Sequence, residues 1–215
     1  MKGISARGIH SFYDLNLVIA DRKISPPVPK RITDTVPYMS GEYDFSKING
    51  EVALEAREIY YEFDLSKVFT EIREKIQQKF LWWLYQIVDA DIYDDYIPGY
   101  HFHGSLKNIN YSENWEKSTI GVTFSVDPYK YSNDLKYIEF EVFDSREFEV
   151  ISKSVHKIQP IIETTSDFVL SFETKKFSIK DRKVTSLDLL LNPGRNIMKA
   201  TGTGKIKFIY REEVL

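Results

Sequence analysis

Apolar side chains recur at every second position through much of the chain, which is the pattern of half-buried β-strands. Turn-forming pairs lie between these runs, among them Asn49-Gly50 and Pro193-Gly194. Strands and helices do not alternate along the chain, so the pattern favours antiparallel sheets over a parallel α/β enzyme fold. The alternating runs are Ile59, Tyr61, Phe63; Ile120, Val122, Phe124, Val126; Ile138, Phe140, Val142; Phe168, Leu170, Phe172; Leu187, Leu189, Leu191; and Ile206, Phe208, Tyr210.

One stretch follows the helical period instead. Apolar residues recur there at steps of three and four and form a single stripe. The stripe consists of Leu65, Val68, Phe69, Ile72, Ile76 and Phe80. Asp64 or Ser66 is placed to cap the first turn. We therefore predict a helix over residues 65–80, packed by its apolar face on a sheet.

The composition strengthens the β prediction. Of 215 residues, 42% are apolar and 14% aromatic, so the chain can bury a core. It has 23 Ile and 14 Val against 6 Ala, a bias toward residues that suit a pleated surface. We predict a mainly β protein.

Charge and cysteine content exclude several classes of function. The net charge is -3 without a block of like charges, which argues against general binding of nucleic acid or of a membrane surface. Cysteine is absent, which removes disulfides, Cys-ligated zinc, iron–sulfur clusters and thiol nucleophiles. The amino terminus has no apolar leader segment, and residues 80–88 fall far short of the ~20 residues that span a bilayer. Folding in a cytoplasm is expected.

The best domain boundary lies at Asp127-Pro128-Tyr129, where a clean strand ends at a proline. Residues 1–130 are predicted to form a β-sandwich with one α-helix. Residues 131–215 are predicted to form a small β-sandwich without a helix. We interpret Asp127, Pro128 and Tyr129 as the interdomain junction.

His101 and His103 are the strongest candidates for a metal site. They stand two apart in a probable strand, so both rings face one side, and four aspartates lie just before them: Asp89, Asp91, Asp94 and Asp95. The aspartates do not fit a calcium loop, because the sixth position from Asp89 is not glycine. A hairpin with a solvated acidic tip explains the same residues, and we expect no metal, cofactor or catalytic residue.

Two other patterns suggest ligands only superficially. The run Thr201-Gly202-Thr203-Gly204-Lys205 is too short between its glycines for a phosphate-binding P-loop, so it is read as a tight turn or bulge. Trp82, Trp83 and Trp115, with 14 tyrosines, are candidates for a sugar-stacking platform. If Trp82 and Trp83 lie in a strand, one of them points into the core.

Residues 21–31 form a basic, proline-rich segment that cannot be helical. Pro26, Pro27 and Pro29 remove three backbone donors. The simple interpretation is a surface crossing between two sheets. The alternative is a stiff strap against a neighbouring molecule, because proline lowers the entropy lost on ordering.

Several motifs resemble the distal tail proteins of long-tailed phages, in the order expected for that family. The most specific is Asp-Pro-Tyr-Lys-Tyr at residues 127–131. The others are Leu-Val-Ile at 17–19, Asp-Arg-Lys-Ile-Ser-Pro-Pro at 21–27, Val36-Pro37 with Gly41, Tyr-Asp-Phe-Ser at 43–46, Arg57, Gly-Ser-Leu at 104–106, Ile-Gly-Val-Thr-Phe at 120–124, Leu-Asn-Pro-Gly-Arg-Asn at 191–196, Thr-Gly-Thr-Gly at 201–204 and Tyr-Arg-Glu at 210–212. They span nearly the whole chain.

The resemblance implies a structural protein and not an enzyme. Members form a homohexameric ring, the baseplate hub, between the tail tube protein and the tail-associated lysin or spike. Their first domain builds the ring. Their second, a galectin-like or carbohydrate-module-like sandwich, points outward and often carries receptor-binding proteins. The location implied is the tail tip of a virion or prophage particle after assembly in the bacterial cytoplasm, and DNA only passes through the channel.

This chain departs from the family pattern in two places. The stretch that commonly reads Pro-Gly-Arg-Asp-Gly is Pro-Tyr-Met-Ser-Gly at residues 37–41. The second domain is also at the short end for the family, which argues against the sugar-binding face or the extended arm that larger members carry. From the residues alone, a carbohydrate-binding module of a cell-surface or tail-associated protein remains the alternative function.

Overall fold

The computed structural model describes residues 2–35, 37–38, 40–46, 52–66, 70–113, 118–180, 182–186 and 188–215; for residues 70–72 and 113 it describes the backbone only. The chain divides into two compact units. Unit 1 is Met1–Lys130 with Leu215, and unit 2 is Tyr131–Val214. Each unit has its own cluster of buried apolar residues.

Unit 1 is built on one antiparallel sheet. Seven of its strands follow the order β2-β1-β7-β8-β9-β6-β3, and β4 pairs with β5 as a separate hairpin. The bounds are β1 Ile4–Ala6, β2 Ile9–His10, β3 Val18–Ile24, β4 Thr33–Asp34, β5 Tyr43–Asp44, β6 Arg57–Asp64, β7 Ala90–Asp94, β8 Tyr100–Glu113 and β9 Ser118–Val126. The long ladder between β6 and β9 pairs Ile59 with Phe124 and Phe63 with Ile120.

The unit 1 sheet folds over on itself around the core. The hydroxyl of Tyr61 in β6 donates to a carboxylate oxygen of Asp94 in β7 at 2.7 Å, although two strands separate β6 from β7 in the sheet. The two halves of the sheet therefore face each other as the layers of a sandwich. Apolar side chains at alternate positions of β6 and β9 fill the space between them.

Helix α1 (Thr70–Tyr85) covers this core and is the one helix among the described residues. It is shifted from the predicted span of 65–80. Leu65 and Ser66 are not helical, because the Leu65 N–H donates to the Ser118 carbonyl and the Ser66 hydroxyl accepts from the Ser118 N–H. The end at residue 80 was also wrong, because Trp83 and Leu84 continue the buried stripe. Val68 and Phe69 lie outside the described residues.

Unit 2 is a sandwich of two antiparallel four-stranded sheets, ordered β11-β18-β13-β16 and β12-β17-β14-β15. The short strands β10 and β19 pair with each other and belong to neither of these two sheets. The bounds are β10 Lys130–Ser132, β11 Lys136–Val142, β12 Ser145–Ser152, β13 Ile161–Thr164, β14 Phe168–Phe172, β15 Lys175–Ile179, β16 Lys183–Thr185, β17 Gly194–Thr201, β18 Gly204–Tyr210 and β19 Glu213–Val214. Rings from both sheets meet in the core, where Phe140 stacks on Phe148 at 4.2 Å between centroids.

In the alternating run predicted at residues 187–191, the described residues 188–191 do not form a strand, and Leu187 lies outside the described residues. Leu189 and Leu191 are buried, so the alternation does report burial. Only Leu191 makes a bridge, to Ile158, and residues 188–190 are irregular. The alternation of apolar residues therefore reflects burial in the core and not strand pairing. The predicted mainly β fold with sandwich layers is otherwise confirmed, and no helix in the described part of the chain could cross a membrane.

Candidate assembly surfaces

A two-stranded arm extends beyond the unit 1 sheet from strands β3 and β6. Past the end of their ladder, Ser25 donates to Glu58, Glu55 to Val28 and Lys30 to Ala53 through backbone bonds of 2.8–3.0 Å. Further along the chain, β4 and β5 pair with each other as an antiparallel hairpin. We call the described residues 25–35, 37–38, 40–46 and 52–55 the ribbon arm. The proline-rich segment is thus backbone-paired, and it leads from β3 in the unit 1 sheet to β4 in the separate β4–β5 sheet.

The ribbon arm exposes apolar side chains. Every described residue from 28 to 45 is exposed to solvent. The apolar members are Val28, Ile32, Tyr38, Tyr43 and Phe45, and the Tyr43 and Phe45 rings stack with centroids 6.1 Å apart. A ribbon with no core of its own and a concentrated set of exposed apolar groups has the character of a contact surface.

A partly buried ion pair lies at the root of the ribbon arm. Arg22 in β3 donates through Nε to Asp94 Oδ2 at 2.7 Å, and the same oxygen accepts from the Tyr61 hydroxyl. The second Asp94 oxygen accepts from the Tyr96 N–H at 2.8 Å. Asp94 is only 3% exposed. Burial and the Asp94 carboxylate raise the pKa of Tyr61 well above its ordinary value.

Asp94 and Arg22 were not recognised from the sequence as a pair. The available signal was that Asp94 follows Ala90 and Ile92 on the buried side of β7. A carboxylate at a core-facing position needs a cation or donors to compensate its desolvation. The position of that cation, 72 residues away, could not be read from the pattern.

The end of helix α1 carries a second exposed apolar surface. Trp83 is fully buried and donates through Nε1 to the Ala6 carbonyl at 2.9 Å, whereas Trp82 is 62% exposed. Neighbouring residues on a helix point about 100° apart, which separates the two indoles. The two tryptophans lie in α1 and not in a strand, and one of them does point inward. Trp115 lies outside the described residues.

Tyr85 and Val88 extend this surface beyond Trp82. Both are largely exposed. They border a groove of about 360 Å³ whose other wall comes from β8, including Leu106 and Ile109. We call Trp82, Tyr85 and Val88 with this groove the helix-end patch.

The two histidines considered for a metal site lie in a cluster with carboxylates. His103 Nδ1 lies 2.8 Å from Asp91 and Nε2 lies 2.9 Å from Asp89. His101 is buried, with Nε2 3.7 Å from Asp91. Both rings therefore do face the same carboxylate. Within the described residues, no three His, Asp or Glu side chains are arranged to hold a metal ion.

The cluster changes the proton affinity of His103. The hydrogen bond to Asp91 is the main cause of its raised pKa, with a smaller contribution from Asp89, against a lowering by burial. Asp94 and Asp95 take no part in this cluster. Asp94 belongs to the root of the ribbon arm, and Asp95 contacts His10 at 3.0 Å.

The Gly202–Gly204 run is the tight turn that the sequence indicated. It carries the chain from β17 in one sheet to β18 in the other. Both glycines have positive φ, 144° and 141°, which disfavours residues with a side chain. A Cβ at Gly202 would also lie 2.7 Å from the Asp167 carbonyl oxygen.

Residues 127–129 connect β9 to β10. The Asp127 N–H donates to the His103 carbonyl at 2.9 Å, which extends the β8–β9 ladder by one bond. The division between the two compact units follows at Lys130.

Comparison with known proteins yields a similarity to a solved structure. No family model matches the chain, and no curated protein matches it. Among solved structures, the chain is similar to the SPP1 Dit protein (gp 19.1), described as a paradigm of the hub adsorption apparatus in phages that infect Gram-positive bacteria. The TM-score is 0.73 at 15% identity, and the match covers 100% of both chains. The resemblance to distal tail proteins is thus confirmed, and this chain has the Dit fold from end to end.

Proposed function

We propose that this protein is a distal tail protein, the hub at the tail tip of a long-tailed phage or prophage particle. The observation that carries the proposal is the full-length match to SPP1 Dit, which leaves no part of either chain outside the common fold. The ordered family motifs, from Leu-Val-Ile at 17–19 to Tyr-Arg-Glu at 210–212, support it independently of the fold.

In this proposal the function is geometric and uses no catalytic residue. The subunits form a homohexameric ring that joins the tail tube protein to the tail-associated lysin or spike and anchors the receptor-binding protein. The Asp127-Pro128-Tyr129 junction connects the ring-forming unit 1 to the peripheral unit 2. Assembly takes place in the bacterial cytoplasm, and the finished ring lies at the virion tail tip.

A closed ring requires two different surfaces on each subunit, because its contacts are heterologous. Unit 1 carries two exposed apolar surfaces of suitable character, the ribbon arm and the helix-end patch. We assign the ribbon arm of one subunit to the helix-end patch of the next. Pairing the rings of Tyr43 and Phe45 with Trp82 and Tyr85 buries apolar surface from both subunits.

The first test is the mass of the protein in solution, measured by light scattering over a concentration series, with negative-stain imaging of large species. We expect particles of about six subunits with a central hole. A monomer at every concentration, also after addition of the tail tube and spike proteins, would contradict the hub.

Two sets of variants test the assigned contact. The arm variant is Tyr43→Ser with Phe45→Ser, and the patch variant is Trp82→Ser with Tyr85→Ser. Each alone should fail to form rings. Mixed together, they can make only one intact contact, between an unaltered arm and an unaltered patch, so heterodimers are expected. Rings from either variant alone would reject the assignment while leaving the hub intact.

A further inference from the structure

Arg57 is a buried cation in unit 1. It is the first residue of β6 and lies on the same face of that strand as Ile59 and Tyr61, so its side chain points toward the core. Only 5% of the residue is exposed to solvent. Burial lowers the pKa of Arg57, yet a guanidinium stays protonated in proteins. A charge in this position needs a partner that compensates its lost hydration.

No such partner for Arg57 lies within the described residues. Its Nε and Nη2 atoms are buried without a hydrogen-bond acceptor, and no carboxylate of the described chain pairs with the group. The Phe102 ring, whose centroid lies 5.0 Å from Cζ, attracts the cation but has no acceptor oxygen. Buried donors without acceptors are rare in native proteins, because each one is costly.

The two unpaired nitrogens of Arg57 lie along one edge of the planar guanidinium. The Nε–H bond and one Nη2–H bond point in the same direction, at the spacing of two oxygens of a carboxylate or phosphate group. Arg195 in unit 2 uses this same edge, since both its Nε and its Nη2 donate to Glu149, with Nη2 3.0 Å from Oε2. The edge that holds a carboxylate at Arg195 is therefore still available at Arg57.

A second cation, Lys130, lies close to Arg57. Burial lowers the pKa of the Lys130 ammonium group, and the charge of Arg57 lowers it further. In the part of the chain that the structure describes, Lys130 also has no carboxylate partner. By contrast, the partly buried Arg22 donates to Asp94 at 2.7 Å. Two desolvated cations without a counter-ion create a positive potential that favours an anion.

We propose that Arg57 and Lys130 form a binding site for one oxyanion, a phosphate or a carboxylate. The Nε and Nη2 edge of Arg57 donates two parallel hydrogen bonds to two of its oxygens, and the Lys130 ammonium group balances its remaining charge. Because so little of Arg57 is exposed, only a small ion or the end of an acidic side chain reaches this edge. Both cations belong to unit 1 of a single chain, so the site does not depend on the hub function.

Titration of the full-length protein tests for binding of a free ion. The probes are potassium phosphate and potassium acetate, each at an ionic strength held constant with potassium chloride. Calorimetry gives the dissociation constant, and thermal unfolding gives a second readout. At a phosphate concentration ten times the dissociation constant, the melting temperature of unit 1 should rise by about 3–6 °C.

Four variants locate the site. Arg57→Met removes the charge and both donors, whereas Arg57→Lys keeps the charge but loses the paired donors. Lys130→Met removes the second cation, and the control Lys23→Met removes one exposed charge from β3. Both Arg57 variants should bind the ion about tenfold more weakly or worse, and Lys130→Met about fivefold more weakly. Lys23→Met should bind as wild type does.

Stability without phosphate or acetate separates binding from a purely structural role. Arg57→Met replaces an unpaired buried charge by an apolar side chain, so in chloride buffer it should melt at the wild-type temperature or above. A structural role instead predicts that this variant melts lower than wild type by the same amount with and without phosphate. If Arg57→Met fails to fold, the half-buried Lys130→Met still decides the question by its affinity.

Assembly distinguishes a free ion from an acidic side chain of a neighbouring tail protein, and this arm alone rests on the proposed hub function. If the side chain is the source, phosphate and acetate do not bind, but both Arg57 variants fail to form rings under conditions in which Lys23→Met forms them. If wild type forms no rings, the titration with free ions decides alone.

Two results would overturn the proposal. One is that neither free ion binds and the Arg57 variants assemble as Lys23→Met does. The other is that Lys23→Met weakens binding as much as Arg57→Met, which would indicate general attraction between opposite charges in place of a site.

Discussion

His103 lies between two carboxylates, and in its protonated form it can donate a hydrogen bond to each of them, through Nδ1 to Asp91 and through Nε2 to Asp89. The imidazolium joins β8 to the start of β7 and to Asp89, whose φ of 47° is unusual for a residue with a side chain. Arg7 donates to the Val88 and Asp89 carbonyls of the same corner. The histidine and aspartates considered for a metal site therefore form an ion-pair cluster that holds the turn before β7 in place.

The raised pKa of His103 predicts a loss of stability with increasing pH. Its folded pKa lies above the unfolded value of about 6.5, so the contribution is fully present below pH 6.5. It is lost as the pH rises through the folded value. Because the ring is partly exposed, we expect less than about 1 kcal/mol.

Urea denaturation of wild type and His103→Gln between pH 5 and 8 measures this effect. The difference between the two proteins should shrink as the pH rises. A difference that stays constant over this range would show that His103 acts by packing and not by charge.

Removal of the Asp94 charge should destabilise unit 1 strongly. Asp94→Asn leaves the Arg22 guanidinium without its carboxylate and weakens the bond from Tyr61, so a loss of about 2–3 kcal/mol is expected. Urea denaturation measures it. The control Asp134→Asn changes an exposed aspartate and should lie within about 0.5 kcal/mol of wild type. Equal values for the two variants would contradict the buried network.

The sequence indicated at this scale which residues carry unusual chemistry, but not their partners. It singled out His101, His103 and the neighbouring aspartates as a group. Alternation along a strand shows on which side of the sheet each side chain lies, so it indicated that the two histidines share a face. It cannot give the contact between Asp94 and Arg22, because that contact depends on how the sheet folds over.

Among the elements, helix α1 shows how tertiary contacts set boundaries that periodicity leaves open. The apolar stripe includes Leu65, but the Leu65 N–H donates to the Ser118 carbonyl. Leu65 is therefore bonded to the sheet and does not belong to the helix. The run at 187–191 shows the same limitation for strands, because buried irregular chain can alternate without a ladder partner. The long runs in β6, β9 and β18 were predicted correctly, since alternation and pairing coincide there.

The two adjacent tryptophans of α1 provide a direct comparison. Trp83→Ala removes a fully buried indole and its bond to Ala6, so a loss of about 3–5 kcal/mol is expected. Trp82→Ala removes an exposed indole and should change the free energy of unfolding by no more than about 0.5 kcal/mol. Chemical denaturation of both variants as monomers is the measurement. Similar losses in both would contradict the orientation of the helix.

At the scale of the whole molecule, the described residues form two apolar cores, one in each unit. The sequence predicts a domain boundary at the proline-containing junction 127–129, because proline has no backbone donor to continue a strand ladder. The sequence did not reveal that the ribbon arm is paired. Its residues pair because they continue the β3–β6 ladder, and the partner of β3 could not be read from the sequence pattern. Exposed apolar residues on the arm have no signature in the pattern, because exposure depends on what surrounds them.

Two cores predict two unfolding transitions in scanning calorimetry of the monomer. Trp83→Ala should lower only the transition of unit 1, and Leu170→Ala, at a fully buried position in the second core, only that of unit 2. A single two-state transition lowered by both variants would show that the two units unfold as one.

Strands β10 and β19, the first and last of unit 2, pair with each other. The chain therefore enters and leaves this unit at neighbouring points, and the residues on either side of it, Lys130 and Leu215, both belong to unit 1. Such a unit can be exchanged by recombination as a cassette, because a substitute needs only two adjacent ends. Under the proposed hub function, an exchange of unit 2 would leave the residues of unit 1 unchanged.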